Sequence, residues 1–78
     1  MGVLRIEMKK GIKMHFEGHI EIGNPKSPYL NSDCVVVEKP AEFAEYVKVR
    51  MKKGLIKNNE IMLVPISNCF WINQNKEV

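Results

Sequence analysis

The sequence predicts a mainly β domain of α+β class, a small barrel carrying a helical insertion at about residues 40–53. Three observations point there. Apolar and polar residues alternate with period two through the first twenty or so positions, a glycine stands on the apolar side of that pattern, and helix signals cluster after Pro40.

Leu4, Ile6 and Met8 alternate with Arg5, Glu7 and Lys9, and after Lys10-Gly11 the alternation resumes as Ile12, Met14 and Phe16 against Lys13, His15 and Glu17. That is a hairpin of two half-buried strands. The second strand runs on through Gly18 to Ile20 and Ile22, longer than the usual five or six residues. Gly18 falls where a large apolar side chain is due, and a missing side chain inside a long strand marks a bend that folds a sheet over on itself. A barrel follows.

The short β-branched run "CVVVEK" supplies the next strand. After it, Pro40 suits a first helical turn, Glu42 and Glu45 come early, Lys48, Arg50, Lys52 and Lys53 come late, and Gly54 is a stop. Phe43, Ala44, Val47 and Met51 form a stripe at helical spacing. Tyr46 to Met51 also alternates as a strand with β-branched Val47 and Val49, so a strand stays open as the alternative. The tetrad Met-Lys-Lys-Gly occurs at 8–11 and again at 51–54, predicted as a hairpin the first time and a helix end the second. Asn58-Asn59 is a turn signal, and "EIMLVPISNCFWIN" makes two short strands broken around Pro65, Ser67 and Asn68. The polar tail 74–78 is expected to fray.

A long bent strand, a short one, a variable insertion and two short strands with a tight break between them resemble the Sm-like family of five-stranded, SH3-like small barrels. The likeness covers roughly residues 3–39 and 60–73. "LRIEMKKGIKMHFEGHIE" looks like the family's opening hairpin, and "YLN" at 29–31 looks like the aromatic-hydrophobic-Asn step of its RNA-binding loop. The resemblance implies that Tyr29 stacks on a base and Asn31 hydrogen-bonds its edge. The chain departs from the family in three places, one of them Ser32-Asp33, which extends the loop before the third strand. Ser27 stands where an acidic residue is usual, and Pro65 and Ile66 stand where the family has an Arg-Gly pair.

Seventy-eight residues make one small domain, 1–78, near the size at which oligomerisation often supplements a single core. The chain is 45% hydrophobic and 27% charged, and no apolar run nears the roughly 20 residues of a membrane span, so no membrane partner is expected. Charges within the first ten residues leave no room for a signal peptide's apolar stretch, which places the chain in the cytoplasm. Cys34 and Cys69 lie inside apolar runs and read as buried free thiols.

The residues argue against an enzyme. No Ser, Cys or Lys has an evident general base beside it, and there is no glycine-rich phosphate loop. His15, Glu17 and His19 share one strand face about 6.8 Å apart and would need a further ligand to hold a metal, so neither metal nor other cofactor is expected.

The net charge of +3 conceals a cationic stretch, Lys48, Arg50, Lys52, Lys53 and Lys57, with no acidic residue between 46 and 59. These cations either complement a helix end or meet an anionic partner. Three readings follow. In the first, an Sm-like homo-oligomer binds RNA at Tyr29, Asn31 and the cationic stretch. In the second, a phage-type anti-defence barrel sequesters a small nucleotide signal. In the third, an interaction module blocks a host protein through a sheet edge or helix.

Overall fold

The computed structural model describes residues 8–72; the predicted strand before Met8 and the polar tail 74–78 lie outside them. Five strands form one antiparallel sheet: β1 (Lys13–His19), β2 (Tyr29–Glu38), β3 (Tyr46–Lys53), β4 (Asn58–Pro65) and β5 (Cys69–Trp71). Their order across the sheet is β4-β3-β2-β1-β5.

Period two decides which side chains enter the core. Met14 and Phe16 on β1, Cys34 and Val36 on β2, Val47, Val49 and Met51 on β3, and Val64 on β4 are buried on one face. Met8, Ile66 and Cys69 complete that cluster.

Residues 46–53, read as the end of a helix, are strand β3. The helical stripe would have buried Phe43, which is 83% exposed, whereas the strand buries Val49, Val47 and Met51 together. β-branched valines favour that choice, and pairing with both β2 and β4 secures it. Ala41–Ala44 forms only a turn, with the Ala44 N–H donating to Ala41 O at 3.2 Å. No α-helix occurs among the described residues.

Both copies of Met-Lys-Lys-Gly therefore turn the chain. In the first, Ile12 N–H donates to Lys9 O at 3.1 Å across Gly11, whose φ is +93°. In the second, Gly54 opens the β3–β4 connection and its N–H donates to Lys57 O at 3.0 Å.

β1 ends at His19 rather than running to Ile22, and β2 begins at Tyr29, earlier than the apolar run suggested. The break between the last two strands lies where the sequence placed it, as a 3-10 turn at Ile66–Asn68.

The sheet is coiled but is not a closed barrel. Flat, four strand spacings would separate β4 from β5 by about 19 Å. Only residues 66–68 join Pro65 to Cys69, and four Cα steps span at most about 15 Å. Coiling must bring the two edges together at that end. No hydrogen-bonded pairing joins β4 to β5 among the described residues, where β5 has only three residues and Pro65 has no N–H to donate.

Candidate anion-binding cleft

Strand register assembles the outer face. Lys13 on β1 lies opposite Val35 on β2, Val35 opposite Arg50 on β3, and Arg50 opposite Ile61 on β4. Long side chains on β1 and β3 thus flank a short one on β2. The result is a cleft of about 330 Å³ lined by Lys13, Arg50, Lys52 and Asn59 together with apolar Val35 and Ile72.

Three cations meet one carboxylate there, Asp33, and that carboxylate is engaged by His15 at 2.7 Å. The neighbourhood favours an anion that carries hydrogen-bond acceptors. Arg50 presents a planar fork, the lysines present point charges, and Asn59 offers a neutral amide. A larger opening of about 430 Å³ lies between the β1–β2 loop and the 3-10 turn, but its ionisable lining is His19 and Glu21. It does not suit an anion.

The five cations singled out in the sequence do not act as one patch. Arg50 and Lys52 line the cleft, whereas Lys48 forms an ion pair with Glu38 at 3.4 Å across the β2–β3 bulge. Lys53 pairs with Asn58 at the mouth of the β3–β4 turn, and Lys57 lies within that turn. Lys13, Asp33 and Asn59 were not singled out as site residues. The alternation of β1 does place Lys13 on one face with His15, Glu17 and His19, but only the sheet order carries Lys13 to the cations of β3.

Tyr29 and Asn31 occupy strand positions at the start of β2, not a loop. They are six and four residues from Val35, which is about 20 and 13 Å along the strand, and neither lines the cleft. Instead they join a polar ladder between β1 and β2. The Tyr29 hydroxyl donates to Glu17 Oε2 at 2.8 Å, which raises the tyrosine pKa, and its ring meets His19 edge to face with centroids 5.3 Å apart. His19 Nδ1–H donates to Ser27 O at 2.7 Å.

His15 has an acceptor at each ring nitrogen, Asp33 Oδ1 at 2.7 Å and Asn31 Oδ1 at 2.6 Å. The imidazolium form satisfies both acceptors, and the Asp33 hydrogen bond holds the His15 pKa above its ordinary value. His15, Glu17 and His19 are thus each hydrogen-bonded to a different partner set: His15 to Asp33 and Asn31, Glu17 to Tyr29, and His19 to Ser27.

No family model, curated protein or solved structure matches this chain. The chemistry at hand is that of its own side chains. Cys34 and Cys69 are free and buried, and the Cys69 thiol is pushed far above the usual thiol range by its hydrogen bond with Cys34 and by burial. Cys69 stays a protonated core group rather than a nucleophile.

Proposed function

We propose that this chain is a non-enzymatic, self-associating small β protein that binds backbone phosphates at the outer-face cleft, with single-stranded RNA as the ligand class. The convergence of Lys13, Arg50 and Lys52 on one apolar-lined cleft carries this reading. A volume of about 330 Å³ lies at the small end of ligand sites, which run from about 300 Å³.

The Sm-like resemblance adds the expectation of RNA and of assembly into a homo-oligomer. The return of β5 to the outer side of β1 and the short β4–β5 link support the resemblance. The family's pocket residues between the last two strands are replaced by Pro65 and Ile66, so the ligand is assigned to the cleft rather than to that loop.

The test is fluorescence anisotropy of a labelled oligoribonucleotide over a range of salt, with a mononucleotide as competitor. If all three cations neutralise phosphates, log affinity falls against log salt with a slope of about −2.1, from about −0.7 per phosphate. Lys52→Gln then makes the slope shallower by about 0.7. Effective competition by the mononucleotide identifies a compact nucleotide signal, the anti-defence alternative, as the ligand. Unchanged affinity in a Lys13→Gln, Arg50→Ala, Lys52→Gln variant overturns the cleft assignment.

A further inference from the structure

The β3–β4 turn presents apolar side chains to solvent from a fastened support. Ile56 is 86% exposed and Leu55 is 44% exposed, at the tip of a hairpin whose strands pair as far as Lys53 and Asn58. Gly54 N–H donates to Lys57 O at 3.0 Å, and Ile56 N–H donates to Glu60 Oε1 at 2.9 Å. Below the turn, the Lys53 N–H donates to Ser32 Oγ at 3.0 Å. The Glu60 side chain folds against Gly54 so closely that a Cβ there would lie 2.6 Å from Glu60 Cβ. Ile56 is therefore held outward by the turn's own hydrogen bonds.

Charge surrounds this tip. Lys52, Lys53 and Lys57 flank Leu55 and Ile56, and no acidic residue lies between 46 and 59. The nearest following carboxylate, Glu60, accepts from the turn backbone. Three occupants can be weighed against that chemistry. A nucleic acid would satisfy the lysines but leave both aliphatic side chains in water, since bases stack on aromatic rings. A second copy of the tip would bring three positive charges against three more. An anionic lipid surface satisfies both halves, with headgroups for the lysines and the acyl boundary for Leu55 and Ile56.

We infer that the β3–β4 hairpin is a peripheral docking tip for anionic membrane surfaces, inserting Leu55 and Ile56 while Lys52, Lys53 and Lys57 lie against the headgroups. No helix among the described residues is long and apolar enough to cross a membrane, and docking of this kind needs none. The inference is independent of the cleft except at Lys52, which the two surfaces share.

Vesicle sedimentation at physiological salt tests it, comparing pure phosphatidylcholine with vesicles containing about one-third phosphatidylserine. The wild-type chain is expected to pellet with the anionic vesicles and stay in solution with the neutral ones. Leu55→Ser with Ile56→Ser is expected to weaken partitioning at least about tenfold. Lys53→Gln with Lys57→Gln, both outside the cleft, is expected to weaken it about 25-fold, from about fivefold per lysine near the surface. Circular dichroism confirms that the variants stay folded, and the serine pair should retain wild-type RNA affinity if the cleft binds RNA. Failure to pellet with anionic vesicles, equal pelleting with neutral ones, or unaltered pelleting of the folded serine variant overturns the inference. None of those outcomes bears on the cleft.

Discussion

The side chain of Asn68, from the turn between β4 and β5, occupies the space that a side chain on Gly18 of β1 would need. A Cβ at Gly18 would lie 2.6 Å from Asn68 Cγ, and the residue's φ is +154°. The glycine thus admits a residue 50 positions away in the chain and lets the 3-10 turn close down on β1. Gly18→Ala is expected to destabilise the fold by about 1–3 kcal/mol, the usual range for overpacking, as measured by denaturant unfolding. Adding Asn68→Ala should restore part of that loss but not all, because the positive φ still disfavours alanine. Full tolerance of Gly18→Ala alone would mean that the contact carries no constraint.

Protonation of His15 should stabilise the fold. Its folded pKa is raised, first by the Asp33 hydrogen bond, so its contribution is complete below the ordinary value of 6.5 and is lost as pH rises through the folded value. The groups facing it are Asp33 and Asn31 on β2, Glu17 on its own strand and Phe70 on β5. Exposed pairs of this kind contribute about 0.2–1 kcal/mol. A Tm decrease of a few degrees is expected from pH 6 to pH 8, at about 4–8 °C per kcal/mol for a small domain. His15→Gln should flatten this part of the profile, and Asp33→Asn should lower the His15 pKa in an NMR titration. A His15 titration at or below its ordinary value would contradict the ladder geometry.

Tyr29 and Asn31 should matter to a strand but not to a nucleotide. Both sit on the sheet face beyond the cleft, so Tyr29→Ala with Asn31→Ala is expected to leave mononucleotide affinity unchanged. An RNA long enough to track along β2 would reach the Tyr29 ring, where base stacking contributes about 1–3 kcal/mol. The double variant should lose affinity for that RNA by a corresponding factor while its Tm stays close to wild type. Equal affinity for the long RNA would remove both residues from the ligand surface.

Strand β4 should mediate self-association. It is an eight-residue edge strand with one charged residue, Glu60, and with Ile61 and Leu63 exposed at 51% and 57%. Such an edge is a template for another strand unless charge or cover blocks it. Light scattering at tens of micromolar, on the order used for domains of this size, should report a mass above that of one chain. Ile61→Lys with Leu63→Lys should reduce it to the monomer by placing like charges across the junction. A monomeric wild type would count against β4 as an interface.

The sequence by itself determined the alternation that makes β1, the turn at Lys10-Gly11 and the break around Pro65–Asn68, whereas Asn58 and Asn59, read as a turn, begin β4 directly after the turn at 54–57. The first three are local signals, read from side-chain period or from residues that restrict the backbone. Residues 46–53 were different, because helix and strand patterns coincide over Val47 and Met51. Only the pairing of β3 with β2 and β4 decided for the strand that buries Val49. Tertiary structure also divided the cationic stretch. Alternation sent Arg50 and Lys52 to one face, the turn took Lys53 and Lys57, and sheet order brought in Lys13 from 37 residues away. A linear sequence holds the charges and the period, but which strands become neighbours depends on how the whole apolar face is buried. The cleft and the exposed hairpin tip exist only once that is settled.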